Sequence, residues 1–271
     1  MQQSMLSAIS ALRAHQTFMD VVANNIANVN TPAYKQSRIS FQDVLWQTYG
    51  RGRAPTGSLG GVNPVQIGLG SITGSVDTIF TQGAMQTTGR PADVAIQGDG
   101  FFTLVGPGGA LYYARDGSFG LDQGGNLVHL PTGYMVAGDG GTAIGQIYDP
   151  AVDTDVVGWQ VDTNGDVVVS RSDGTTSVAG TVYLARFANP SGLIGVGQNM
   201  FQPSLNSGDP TYGQPSDAGY GSISSGFLER SNVDLAKNLT DMIIAQRGFQ
   251  ANSRIVTASD QMLQDLVNLG R

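Results

Sequence analysis

Between Phe227 and Leu269 a large apolar residue returns at every seventh position: Leu228, Leu235, Met242, Phe249, Val256 and Leu263. Leu239 and Val267 supply the intervening four-residue step, no proline interrupts the run, and Gly248 is its only glycine. A heptad sustained this long predicts an amphipathic helix with a coiled-coil seam. At about 1.5 Å per residue the helix would extend roughly 60 Å. A stripe of that length needs a partner of comparable length, and the other end of the chain offers one. Met5, Leu12, Met19 and Ile26 repeat with the same period, and Ile9 and Ala23 occupy the second seam position. Matching stripes at the two termini fit a subunit that polymerises through its ends. They fit equally a helical hairpin that closes a single chain.

Pro32 sets the expected end of the first helix, because the residue before a proline is pushed out of the helical region. The four asparagines between Asn24 and Asn30 suit a fraying end, where their side chains bond backbone groups in a cap and turn. Phe41 to Tyr49 reads as a strand or a short helix. Gly50 to Gly74, with its Gly-Arg, Pro-Thr-Gly and Asn-Pro steps, reads as an extended loop. From Val76 to Gly221 short β-runs alternate with Gly, Asn and Asp turns, as in Phe101–Val105 and Thr181–Phe187. Within it, residues 118–128 and 158–168 echo each other as hairpins, with Gly124-Gly125 and Asn164-Gly165 in their turns. The expected organisation is therefore α+β and multidomain. Residues 1–30 form an N-terminal helix, 31–75 an extended linker, 76–222 an all-β region and 223–271 a C-terminal helix.

Charge follows the same divisions. Charged residues make up only 13% of the 271, and the net charge is −7. Both end segments are neutral, residues 31–75 carry a net +3, and residues 76–222 hold fourteen Asp against four Arg. Neutral ends can crowd together without repulsion, while an acidic middle stays solvated and keeps copies apart. Arg51 and Arg53, with Lys35 and Arg38, could dock on the acidic middle of another copy, or could simply lie in a solvated loop. A nucleic-acid partner is not expected, since no basic face is apparent. Membrane insertion is not expected either, because no apolar run approaches the length of a span. The N-terminus lacks the basic and apolar regions of a typical cleaved signal. With no cysteine, disulfides and thiolate metal sites are excluded.

Nothing in the sequence points to catalysis, a cofactor or a metal. Of the two histidines, His15 falls within the first helix as a packing or interface residue, and His129 follows a hairpin strand, where exposure is expected. Asp162-Thr-Asn164-Gly-Asp166 lacks the glycine position and distal glutamate of a calcium loop and reads as a turn.

Three stretches, in order, resemble the bacterial flagellar rod–hook family of axial proteins. The first runs from Ser7 through Gln16-Thr-Phe-Met-Asp-Val-Val-Ala-Asn-Asn-Ile-Ala-Asn-Val-Asn-Thr31. The second joins Gln82-Gly-Ala-Met-Gln-Thr-Thr-Gly89 to Asp93-Val-Ala-Ile-Gln-Gly-Asp-Gly-Phe-Phe102. The third runs from Ser231-Asn-Val-Asp-Leu235 through Gln246-Arg-Gly-Phe-Gln-Ala-Asn-Ser253 to Leu269. Tyr113-Ala-Arg-Asp-Gly-Ser-Phe119 also fits, whereas residues 140–220 carry little of the likeness. Within the family, Ala54-Pro-Thr-Gly57, Asn63–Gly70, Gly226-Phe-Leu-Glu229 and the Val267-Asn-Leu269 ending are most similar to the short hook protein of Bacillus-type bacteria; the distal-rod protein is the runner-up.

The resemblance implies a helical homopolymer. Its terminal helices would line an inner tube and its β region would form an outer layer, and as a hook it would transmit motor torque while bending, like a universal joint. It implies export through the flagellar type III apparatus without a cleaved signal, to an extracellular place in the flagellum. The implied neighbours are rod, hook-cap and hook–filament junction proteins. Met5, Leu12, Met19, Ile26, Leu228, Leu235, Leu239, Met242, Phe249, Val256 and Leu263 become the expected subunit seam. Arg51 and Arg53 become docking candidates between subunits. A secreted adhesin or fibre subunit, with a ligand on its β face, is the reading from a different class.

Overall fold

The structure is a computed structural model and describes residues 2–57, 60–148 and 155–270. Two compact units emerge, each built from segments distant in sequence. The first joins residues 1–27, 37–78 and 234–271; the second joins 28–36 and 79–233.

In the first unit, α1 spans Gln2–Ala27 and α2 spans Leu235–Leu269. Between them in sequence lie β1 (Ser37–Asp43), β2 (Trp46–Gly50), β3 (Val65–Gly68) and β4 (Ser71–Thr78). β1 pairs antiparallel with β4, β2 pairs antiparallel with β3, and an Arg53–Val62 bridge carries the pairing further. Residues 37–53 and 62–78 thus form the two sides of an antiparallel ribbon. This departs from the extended linker expected over 31–75. Pro55 and Pro64 suggested a loop, but a ribbon strand has only one paired edge, so a missing N–H is tolerated on the other.

The C-terminal helix also starts later than its heptad suggested. Gly226 adopts φ +81°, and Phe227–Glu229 is a strand paired with Met85–Thr87. Helix begins only after Asp234, whose carboxylate caps it by accepting from the Lys237 N–H at 3.1 Å. Leu228 therefore lies in a strand of the second unit; its heptad spacing is a coincidence of the sequence.

The second unit is all-β, as its short runs and turns indicated. Among the described residues its main sheet has nine strands. One path through it runs Ile194–Gly197, Met200–Gln202, Leu111–Ala114, Phe101–Val105, Tyr134–Val136, Leu127–His129 and Phe119–Leu121, with Leu184–Arg186 and Thr211–Gly213 branching from Phe101–Val105. A three-stranded sheet comprises Val156–Val161, Asp166–Arg171 and Thr176–Thr181. The echoed hairpins are the Phe119–Leu121/Leu127–His129 pair and the Val156–Val161/Asp166–Arg171 pair. Their turns hold Gly125 at φ +73° and Gly165 at φ +86°, conformations that favour glycine.

Strand alternation supplies two apolar layers. Phe102 and Leu104 enter a core with Ile96, Phe119, Leu127, Val136, Val167, Leu184 and Ile223. Phe101 joins Tyr113, Ala185 and Phe187 instead, in edge-to-face aromatic contacts that extend to Phe80 and Phe201. His129, expected to be exposed, is fully buried. Its Nδ1 lies 2.9 Å from Thr132 Oγ1 and its Nε2 3.3 Å from Asp116 Oδ2, so both polar atoms are satisfied inside the turn.

Candidate assembly interface

α1 and α2 run antiparallel. Near one end of the pair, Asn25 Nδ2 donates to Asn238 Oδ1 at 3.2 Å; further along, the ring of His15 covers Gly248. A Cβ at Gly248 would stand 2.6 Å from that ring, so the glycine permits the close approach. On α2 the buried residues are Asn238, Ala245 and Ser259, with half-buried Asn252 completing a sevenfold spacing. On α1 they are Ala8, Ala14, Val22 and Asn25. The buried positions of both helices are thus mostly small or polar side chains.

The large residues of the expected seam lie beside this contact. Met5, Leu12, Met19 and Ile26 on α1 are half-buried, as are Met242 and Val256 on α2. Leu235, Leu239, Phe249 and Leu263 are exposed, and so are Ile243, Ile244, Ile255, Leu266 and Val267. From Asp260 to Leu269 every residue of α2 is exposed. The aliphatic heptad identified from sequence and the heptad the chain itself uses are therefore neighbouring stripes. The second, Asn238-Ala245-Asn252-Ser259, was equally visible as a sevenfold repeat of small and polar residues, but it carries no hydrophobic signal.

The ribbon adds more uncovered apolar surface. Phe41, Leu45, Trp46, Tyr49, Val62, Val65, Ile67, Ile72 and Val76 are all exposed. Phe41 nevertheless meets Phe18 of α1 edge-to-face at 5.7 Å. Arg51 and Arg53 lie exposed in this ribbon. An exposed apolar area of this extent marks an interaction surface.

Asparagines and a buried ion pair fix the chain where it passes from helix to strand. Asn25 brackets Ser37, accepting from its N–H at 3.0 Å and donating to its carbonyl at 2.8 Å. In the second unit, Asn232 accepts from the Gln36 N–H at 2.8 Å and donates to the Ile79 carbonyl at 2.8 Å. Lys35 is not available for docking, because its side chain is fully buried against Glu229, with Nζ 2.6 Å from Oε1. It also donates to the Thr81 carbonyl at 2.9 Å, while Glu229 Oε1 accepts from the Gly83 N–H at 2.7 Å. Burial pushes the Lys35 ammonium below its ordinary pKa, and the Glu229 carboxylate opposes that shift. The sequence reading missed these roles. Lys35 and Glu229 lie 194 residues apart, and only the motifs around Asn25 and Asn232 hinted at something beyond turns.

Comparison with known proteins agrees with this geometry at both ends and in the middle. Residues 5–35 match the family model described as flagella basal body rod protein, 95–169 that of the flagellar hook protein FlgE/F/G D1 domain, and 224–269 that of the flagellar basal body rod FlgEFG protein C-terminal region. The chain is 45% identical over 272 residues to the flagellar basal-body rod protein FlgG of Bacillus subtilis (strain 168), covering all of both chains. The chain belongs to the flagellar rod and hook protein family. The FlgG of Borreliella burgdorferi is 35% identical over 276 residues, again with full coverage of both. The flagellar hook protein FlgE of the same organism is 27% identical over an alignment of 441 positions, covering 99% of this chain and all of the relative. Within this rod–hook protein the three family matches cover most of α1, most of the central strands from Val94–Gln97 to Asp166–Arg171, and α2 with the strand Phe227–Glu229 before it.

Proposed function

We propose that this protein is a subunit of the distal rod of the bacterial flagellum, polymerising through its terminal helices into a straight, hollow drive shaft. The observation that carries this reading is the end-to-end likeness to rod proteins. Two FlgG relatives match over their full lengths at 35–45% identity, whereas the hook relative matches at 27% and only across 441 positions, far more than the 271 residues here. A hook protein of that size carries material with no counterpart in this chain. The runner-up of the sequence reading thus takes precedence over the short hook protein, and membership of the family leaves the adhesin reading without support.

The role is mechanical, with no catalytic step. In the polymer, the uncovered Leu235, Leu239, Ile243, Phe249 and Leu263 of one copy would meet helices of its neighbours, and Met5, Leu12, Met19, Ile26, Met242 and Val256 would complete those contacts from their partly covered positions. Arg51 and Arg53 on the ribbon would face acidic turns of adjacent copies. The subunit would leave the cell through the flagellar export apparatus and join rod and hook neighbours. Electron microscopy of purified protein, assembled under salting-out conditions that strengthen apolar burial, tests the reading. Straight, stiff tubes are the expected result. Curved tubes would return the hook reading to first place.

A further inference from the structure

Arg115, in the Tyr113–Phe119 motif, is only 3% exposed, yet its guanidinium is under-used. Nη2 donates to the Gly98 carbonyl at 2.8 Å; Nε and Nη1 have no hydrogen-bond partner among the described residues. Nη1 stands 3.8 Å from Glu229 Oε2, beyond hydrogen-bond reach, and the other oxygen of Glu229 is already engaged by Lys35 and Gly83. The same guanidinium lines a cavity of about 240 Å³ whose walls include Phe80, Phe101, Phe187, Asp99 and Arg186. Its Cζ lies 5.5 Å from the centre of the Phe101 ring.

The local charge does not balance. Around the cavity, buried Arg115 and exposed Arg186 face only the exposed Asp99, which leaves one positive charge in excess. Burial lowers the Arg115 pKa, an effect that Glu229 and Asp99 only partly oppose. A buried cation with unpaired N–H groups is costly, and the cost is removed by an anion placed against it. We propose that this cavity is a monoanion site that takes a carboxylate on a short apolar or aromatic stem. The carboxylate would accept from Arg115, and the stem would lie against the three phenylalanines. A dianion such as phosphate would exceed the single surplus charge and face the Asp99 carboxylate. The carboxylate could come from a free acid or from an acidic turn of a neighbouring copy.

The test is titration of the full chain with benzoate and with propionate at constant ionic strength, read from the Arg115 Nε–H signal in nitrogen-correlated NMR. A saturable shift is expected, with phosphate binding more weakly. Arg115→Met should weaken benzoate binding about tenfold or more, as loss of a charge-assisted hydrogen bond implies. Arg186→Gln, at an exposed position and leaving Arg115 in place, should weaken it less and so guards against a folding defect in the first variant. In assembled protein without added acid, a signal already shifted, together with assembly slowed by benzoate, would assign the carboxylate to a neighbouring copy. Uptake of benzoate by the polymer as by the monomer would assign it to a free acid. No saturable response up to about 100 mM in either form, an affinity too weak to matter, or phosphate binding as tightly as benzoate, would overturn the proposal.

Discussion

The buried Lys35–Glu229 pair and the Gly248–His15 contact each make a single residue answerable for a packing decision. Taking two charges out of water is repaid only while both are present, so removing one partner costs about 3–5 kcal/mol. Lys35→Met is therefore expected to lower stability to urea by about 3 kcal/mol, softened somewhat by the nearby Arg115, and adding Glu229→Leu should recover only part of the loss, because the Gly83 N–H and Arg115 then also lose that carboxylate. A single variant within about 0.5 kcal/mol of the parent would show that the pair is solvated in solution. Gly248 yields a prediction of opposite signs in two backgrounds. Alanine is the better helix former by about 1 kcal/mol, so Gly248→Ala should stabilise the chain once His15→Ala has removed the ring. With His15 present, the new Cβ would lie 2.6 Å from the ring and the same substitution should destabilise. Thermal unfolding of the four proteins of this double-mutant cycle decides it; equal effects in both backgrounds would mean that the helices are not in contact at this point.

At the scale of elements, the two helices show why a chain that folds can still be incomplete. Ala8 and Ala14 of α1 and Ala245 and Ser259 of α2 are buried, while Leu239 is 48% and Ile243 57% exposed. Leu239→Asp should thus change the stability of the unassembled chain by no more than about 0.5 kcal/mol, as for ordinary surface positions. The same change should abolish or strongly retard polymerisation, because in the polymer it would bury an unpaired charge. Sedimentation of the polymer beside urea unfolding of the monomer separates the two effects. A variant that unfolds easily would place Leu239 inside the chain. The helices were legible in sequence because a sevenfold stripe is a strong periodic signal. Which stripe the chain keeps for itself was not, since Asn238, Ala245 and Ser259 are chosen for close approach and hydrogen bonding, which hydropathy does not record. The ribbon was illegible for a related reason. Its glycines and prolines resemble a loop, and its pairing of residues 37–53 with 62–78 is set by long-range backbone bonds. The start of α2 was misjudged because Leu228 satisfies the heptad while the Asp234 cap, three residues before Lys237, is a weaker mark.

For the whole molecule, the division of charge decides how copies approach. The neutral terminal helices and the basic ribbon segment would favour association, while fourteen Asp against four Arg in residues 76–222 oppose it. Two forces therefore compete in assembly, and salt separates them. If repulsion between acidic central regions limits assembly and apolar helix contacts drive it, adding monovalent salt should speed polymerisation and lower the concentration it requires, since the Debye length falls to about 10 Å at 0.1 M and about 3 Å at 1 M. If docking of Arg51 and Arg53 on acidic turns drives assembly instead, the same salt should slow it. The apolar surface exposed on α2 and the ribbon favours the first outcome. Turbidity and sedimentation across a salt series, repeated with Arg51→Glu/Arg53→Glu, give the answer. Assembly that accelerates with salt in both proteins assigns the driving force to the helices and leaves the arginines a minor part. Assembly that slows with salt in the parent and fails in the charge-reversed variant would move the decisive contact from the helices to the ribbon.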